Sequence, residues 1–345
     1  MGKMLITGGA GFIGVNAADH FLSKGWEVTV LDNFSRKGTD INRAFLEGKH
    51  QSGLTIVKAD IITDQDVLNQ LCNEVDVVLH LAAQVAVTTS VTDPRSDFEC
   101  NALGTFNVLE AVRQSSKKPM VIYASTNKVY GGLEHIGVEE GEKRYSFAGG
   151  LQGVTEETPL DFHSPYGCSK GAADQYVRDY SRLYGFDTVV LRQSCIYGPH
   201  QMGIEDQGWV AWFMIATMFK RPITIYGNGK QVRDLLYVDD LVAAYDTCIE
   251  HRKTVSGHVF NMGGGPSNTL SLLEFLAFLK DDLGMEVEYS YGDTRPGDQP
   301  MFISDNSTFE QMTGWITKTN TATGIANLLE WLKANKDSLQ QFYST

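Results

Sequence analysis

Met4-Leu5-Ile6-Thr7-Gly8-Gly9-Ala10-Gly11-Phe12-Ile13-Gly14 decides how the rest of the chain is read. An apolar run of strand length ends in glycines at Gly8, Gly11 and Gly14, and a helical pattern through Phe21 and Leu22 follows as far as Gly25. Glycines at this spacing permit a tight turn, let backbone approach a pyrophosphate, and let helix pack on strand, while the helix N-terminus faces the phosphates. Such a turn means little alone. Here it follows a strand, opens a helix and leads to a second strand, Glu27-Val28-Thr29-Val30-Leu31, ending in Asp32. A carboxylate at that tip accepts both ribose hydroxyls of an adenosine and repels a 2′-phosphate, favouring NAD over NADP; Arg36 and Lys37 nearby pull the other way.

Outward from this unit the pattern repeats. Leu54-Thr55-Ile56-Val57-Lys58 reads as a third strand closing at Ala59-Asp60-Ile61, where Asp60 either accepts from an adenine amino group or caps the helix beginning near Thr63-Asp64. Val75-Asp76-Val77-Val78-Leu79-His80 reads as a fourth, delivering Leu81-Ala82-Ala83-Gln84 to the same edge, small residues that let a nicotinamide ribose lie close to backbone. His80, on a buried strand, reads as a satisfied core histidine. Asn101 is expected to open a helix through Ala102, Phe106, Val108, Leu109 and Val112, and Val121-Ile122-Tyr123-Ala124 to form a fifth strand ending in Ser125-Thr126-Asn127-Lys128. This alternation predicts an α/β fold with a Rossmann-type, doubly wound parallel sheet, the strand tips converging on one crevice.

In His163-Ser164-Pro165-Tyr166-Gly167-Cys168-Ser169-Lys170 a phenol and an ammonium four residues apart share one helical face. Pro165 and the Ser164 hydroxyl suit a helix start. A free phenol titrates at about 10, and a fixed positive charge beside it favours the phenolate. The pair is a candidate for acid/base chemistry.

The chain's 345 residues suffice for one large α/β domain or two sharing a cleft, and 42% hydrophobic with 21% charged residues is a soluble globular composition. A net charge of −13 argues against nucleic acid or anionic membrane as partner. The first strand begins at Lys3, so no signal or transit peptide is expected, and no apolar run reaches membrane-spanning length. Five cysteines, odd in number and without metal-type pairs, lead us to expect a reduced cytoplasmic protein with no bound metal.

These motifs in this order, continuing through Tyr197-Gly198-Pro199, Gly227-Asn228-Gly229, Asn261-Met262-Gly263 and Arg295-Pro296-Gly297-Asp298, resemble the extended short-chain dehydrogenase/reductases that modify nucleotide sugars. The resemblance implies a catalytic set of Thr126, Tyr166 and Lys170, with Lys170 also holding the nicotinamide ribose and lowering the phenol's pKa. It implies tightly held NAD, regenerated in each turnover, in contact with Gly8, Gly11, Phe12, Ile13, Asp32, Asn33, Ser35, Arg36, Asp60, Ile61, Leu81, Ala82, Ala83 and Asn101 besides Tyr166 and Lys170. The implied substrate contacts are Gln84, Thr126, Asn127, Cys195, Gln207, Arg233, Arg295 and Asp298. Arg233 and Arg295 sit in glycine-rich polar loops of the kind that present a guanidinium to a diphosphate.

Thr126-Asn127-Lys128 narrows the reaction. The family's 4,6-dehydratases carry Thr-Asp-Glu here, because removing water needs a separate acid and base. An amide and a cation in their place imply a sugar oxidised and re-reduced but not dehydrated. The stretches at 125–131, 160–176 and 206–210 resemble the CDP-paratose 2-epimerases, implying a CDP-linked deoxyhexose inverted at carbon 2 through a transient 2-keto sugar. Cys195 is a departure, standing where many family members carry asparagine. Epimerisation of a UDP-sugar at carbon 4 is the nearest rival, and a non-catalytic NAD-binding scaffold or sensor is the rival from another class.

Domain organisation follows. Residues 1–198 are expected to form the NAD-binding domain, with 131–161 an inserted loop or lid; residues 199–345 form mainly a smaller α/β substrate region, with segments such as 235–262 returning to the large domain. Trp209, Trp212 and Phe213 read as core. A homo-oligomer is expected, through the helix at 209–219 or the one at 101–112.

Overall fold

The computed structural model describes residues 2–294 and 299–343. The opening apolar run is β1 (Lys3–Thr7), an inner strand of a seven-stranded, wholly parallel sheet. With β2 (Glu27–Asp32), β3 (Leu54–Lys58), β4 (Val77–His80), β5 (Met120–Thr126), β8 (Thr188–Gln193) and β12 (His258–Met262), the order is β3-β2-β1-β4-β5-β8-β12. Chain direction through the sheet reverses between β1 and β4. Loops leaving those tips diverge, which opens a crevice at the carboxyl ends.

Side chains alternate across this sheet. Met4 and Ile6 pack with α1 (Phe12–Ser23) and α9 (Val238–Glu250) on one face, while Leu5 packs with α3 (Gln65–Cys72), α6 (Gly104–Gln114) and α7 (Ser164–Tyr184) on the other. Buried on both faces, the strands read as continuous apolar runs, as a parallel sheet requires. Behind β5 and β8 the Arg192 guanidinium pairs with Asp174, Nε to Oδ2 and Nη2 to Oδ1 both at 3.0 Å. Ser125 Oγ and the Tyr130 hydroxyl join the same buried network.

The helix expected to open at Asn101 begins earlier. Asp93 caps α5 (Pro94–Phe98) by accepting from the Ser96 N–H at 3.1 Å, Pro94 supplies the first turn, and the helical run continues to α6 through a π-helical turn, Glu99–Leu103. Asn101 therefore lies inside a widened turn. Apolar periodicity marked only the packed second half of the run. Short helices α2 (Thr39–Lys49) and α4 (Val87–Thr92) complete the large unit.

The second unit is built around β9 (Cys195–Tyr197), β11 (Val232–Tyr237), β13 (Thr269–Ser271) and β15 (Met301–Phe302), with β10 (Ile223–Tyr226) paired to β14 (Tyr289–Gly292). Its core takes in α8 (Trp209–Met218), where residues 210–216 are all buried. After β11 the chain crosses back: α9 packs on α1, and β12 pairs with β8 at the edge of the large sheet. Within 131–161, β6 (Val138–Glu140) and β7 (Tyr145–Phe147) form an antiparallel hairpin braced on the second unit. Tyr145 N donates to Lys230 O at 3.0 Å, and Ser271 Oγ to Lys143 O at 2.7 Å.

Candidate active site

Two glycines of the opening turn have no substitute. Gly8 lies at φ +67, where a Cβ would also sit 2.7 Å from the Ala82 amide nitrogen; a Cβ on Gly14 would sit 2.5 Å from Gly8 O. The turn is locked by Gly8 N donating to Leu31 O at 2.8 Å and Gly11 N to Gly8 O at 3.0 Å. No side chain caps α1, and its first turn holds no acid, so its leading N–H groups remain available to an anion. Gly8, Gly11, Phe12, Ile13 and Gly14 all line one cleft at the sheet's carboxyl edge.

Asp32, Asn33, Ser35, Arg36, Asp60, Ile61, Leu81, Ala82 and Ala83 line the same cleft, as do Tyr166, Lys170 and Gln207. Asp32 spans two loops, its Oδ2 accepting from Ala10 N at 3.1 Å and its Oδ1 from Phe34 N at 2.9 Å. Burial raises this carboxyl's pKa, against those two N–H groups and the Arg36 charge. Asp60 accepts from Asn33 Nδ2 at 2.9 Å and Ile62 N at 2.8 Å, while Asp64 stands at the N-cap position of α3 with its carboxylate turned back to accept from Asp60 N at 2.7 Å. Arg36 reaches across the cleft mouth to Gln207 Oε1.

His80 is a core histidine with both ring nitrogens engaged. Thr105 Oγ1 spends its one proton on Asn101 O at 2.6 Å and so must accept from His80 Nε2 at 2.9 Å. The bare Nδ1 then accepts from Thr7 Oγ1 at 2.6 Å. Burial drives this imidazole's pKa down to about 3.

At the far end α7 delivers the phenol and the ammonium. Ser164 Oγ accepts from Gly167 N at 3.2 Å, and Tyr166 N donates to Ser90 Oγ at 3.1 Å, which together tie the helix start to α4. The Tyr166 phenol lies beside Thr126, whose hydroxyl favours its ionised form. Thr126 Oγ1 also accepts from Lys128 N at 3.2 Å. Lys170 Nζ donates to Ala124 O at 2.6 Å and lies 4.3 Å from the Tyr123 ring centroid. The expected lowering of the phenol's pKa is not found in the protein alone: burial pushes Tyr166 up to about 12, the Thr126 hydroxyl opposes it only in part, and Lys170 itself is pulled down to about 8 by burial. The pair is desolvated, and a desolvated pair needs further positive charge before it ionises.

The remaining sequence candidates lie apart from the cleft lining. Asn101 and Gln84 bind one another, Gln84 N to Asn101 Oδ1 at 2.9 Å and Asn101 Nδ2 to Gln84 O at 3.0 Å. Asn127 Nδ2 donates to Gln299 Oε1 at 3.3 Å, and Arg233 Nη2 to Gln299 O at 2.8 Å. Cys195 is close enough to Arg233 for that charge to lower its thiol pKa, although burial carries the thiol up to about 12. Arg295 and Asp298 fall outside the described residues. Sequence reading missed Gln299, wholly buried and bonded to Asn127, Arg233 and Gly131 at once. It also missed Thr39, Cys100, Ser125 and Gln193 in the cleft lining. Gln193 had a legible signal, since it ends β8 at the edge where ligands bind.

The glycine cradle, the uncapped helix start and Asp32 fit a dinucleotide. The chain belongs to the NAD dependent epimerase/dehydratase family, whose model matches residues 4–263. It is an NAD-dependent enzyme of nucleotide-sugar epimerase/dehydratase chemistry. The CDP-paratose 2-epimerase of Salmonella typhi is 43% identical over 335 residues, 95% of this chain and 98% of that protein. A dTDP-glucose 4,6-dehydratase from Streptomyces venezuelae, solved with NAD bound, superposes with TM-score 0.84 at 26% identity, covering 99% of each chain. A UDP-glucose 4-epimerase from Thermotoga maritima, solved with UDP-glucose, gives 0.81 at 28% identity, covering 97% of this chain and 99% of that one.

Proposed function

We propose that this enzyme inverts carbon 2 of a CDP-linked deoxyhexose, in the manner of CDP-paratose to CDP-tyvelose conversion, through a transient 2-keto sugar. One observation carries the choice of epimerase over dehydratase. Beside the Thr126–Tyr166 pair the chain places an amide, Asn127, buried and tied to Gln299, and then Lys128, where elimination of water needs carboxyl groups. The 43% relative supports the choice of base and carbon.

Tyr166 takes the proton of the sugar hydroxyl as the C–H bond breaks, and Thr126 holds that oxygen in line. Lys170 binds the nicotinamide ribose and biases Tyr166 toward the phenolate. NAD, once bound in this cleft, would supply a two-electron acceptor for the hydride and positive charge near the desolvated phenol. Gly8, Gly11 and the first turn of α1 hold the pyrophosphate, and Asp32 holds the adenosine ribose. Arg233, with Arg295, anchors the nucleotide diphosphate while the hexose turns its other face to Tyr166 before the proton is given back.

Turnover of CDP-paratose, assayed beside UDP-glucose and dTDP-glucose, tests the reading. Epimerisation of the CDP-sugar with carbon-2 deuterium retained is the expected result. Wash-out of that label to water would replace hydride return with enolisation, and preferential turnover of UDP-glucose would move the reaction to carbon 4. We further propose a homo-oligomer: Phe98, Leu103, Phe106, Tyr176 and Leu183 are exposed on the helical run 94–114 and on α7. Light scattering of the wild type and of Phe106→Glu checks this, with dissociation of the variant expected.

A further inference from the structure

Asp97 is a carboxylate buried without a cation to answer it. Its side chain is wholly inaccessible, and the three groups that hydrogen-bond it are all neutral. Ser169 Oγ donates to Oδ2 at 2.5 Å, while Gln84 Nε2 and Asn101 Nδ2 donate to Oδ1 at 3.0 and 3.1 Å. A buried charge held only by neutral dipoles is costly unless it answers another charge nearby. Its partners point to which charge that is. Ser169 stands immediately before Lys170 on α7, and Asn101 also donates to Ser169 Oγ, at 3.1 Å.

Lys170 has the complementary problem. Its ammonium is buried, and its nearest partners, the Ala124 carbonyl and the Tyr123 ring, carry no net charge. The ionisable groups facing it are Cys100 from the π turn, Asp97 from α5, Tyr166 and Asp174 from α7, Tyr123 from β5 and His80 from β4, with Arg192 of β8 behind Asp174. Against burial, the groups that favour the ammonium are Cys100, Asp174 and Asp97, in that order. Two of the three drop out. The Cys100 thiol is itself raised by burial and stays neutral until alkaline pH, and the Asp174 charge is already matched by Arg192 through two 3.0 Å bonds. Tyr123 and Tyr166 are both raised, and His80 is neutral.

We propose that Asp97 is a positioning residue of this site, the buried negative charge that answers the Lys170 ammonium and, through Ser169 and Asn101, fixes the register of α7 against α5. It touches neither sugar nor cofactor. The π turn belongs to this device: it carries Asn101, whose side chain turns back to Asp97, Ser169 and Gln84 together. The proposal rests on the assignment of Tyr166 and Lys170 to the chemistry, and the test separates the two.

The test is the pH profile of kcat/KM for CDP-paratose, over roughly pH 6 to 10, in NAD-loaded wild type and four variants. Lys170→Met tests the underlying assignment; if turnover survives, that assignment falls. Asp97→Asn keeps shape and removes charge. With less to favour the ammonium, the alkaline limb moves to lower pH by on the order of one unit. Ser169→Ala removes a hydrogen bond and leaves the charge, so its rate falls several-fold with the limb unmoved. A purely structural Asp97 predicts the opposite outcome, a uniform loss of rate in Asp97→Asn at an unchanged limb, and that result overturns the proposal. Should Asp97→Asn not fold, Asp97→Glu decides: a limb at the wild-type pH with a reduced kcat supports the charge, and a limb displaced to lower pH despite the retained charge overturns it.

Discussion

The two ends of the cleft are built by different routes. The dinucleotide end comes from the tips of β1, β2, β3 and β4 and the turns that follow them, so many of its contacts lie within one turn, as in Gly11 N to Gly8 O or Phe34 N to Asp32 Oδ1, and most others join adjacent strand tips, as in Ala10 N to Asp32 Oδ2. The sugar end is assembled across the chain: Asn127 meets Gln299 at a sequence separation of 172, and Arg233 reaches the same glutamine from a separate sheet. A turn that must pass one phosphate tolerates few residue types, whereas a pocket that selects a sugar can be rebuilt from many.

Variants at the two ends sharpen it. Tyr166→Phe removes the proposed proton acceptor and should lower kcat by about 10³-fold with NAD still bound; parallel measurement of turnover and of cofactor content after gel filtration checks both halves. Gly14→Val pushes side-chain atoms against Gly8 O and Gly9 and should yield protein without NAD and less stable by about 1–3 kcal/mol, read by urea titration and by cofactor extraction. NAD held at full stoichiometry in that variant would break the contrast. Arg233→Ala acts at the other end alone: KM for the CDP-sugar should rise about tenfold while cofactor content stays constant.

A last prediction concerns the buried core of the sheet beneath the cleft. His80 is held neutral, with its pKa lowered to about 3 against about 6.5 in an unfolded chain. The unfolded state therefore binds more protons in that interval, and stability is complete above the unfolded value and falls as pH drops through the window. The slope is at most about 1.4 kcal/mol per pH unit for one group. Urea midpoints for wild type and His80→Gln between those limits measure it, with a shallower acid loss expected in the variant.

The course of the sheet was legible because its strands are apolar runs of four to seven residues separated by helical periods, and because Gly8, Gly11, Gly14 and Asp32 each answer a local demand. The helix start near Asn101 was misread for an equally local reason: residues 94–99 carry little apolar signal, since they support Asp97 and its polar partners rather than core. The expected effect of Lys170 on Tyr166 failed differently. Spacing on a helix brings two side chains to one face, yet burial governs whether proximity or desolvation sets the charge, and burial depends on β5, α4 and α5 closing over them.

By itself the sequence determined the parallel sheet and the glycine turn of the dinucleotide end, since the strands show as local apolar runs and the turn rests on backbone geometry that few side chains permit. Only the tertiary structure decided the rest. It drew Gln299, Asn127 and Arg233 into one group and enclosed Asp97 and Lys170 in the same low-dielectric space. Those are contacts between segments far apart in the chain, and no local pattern encodes how deeply two charges will be buried together.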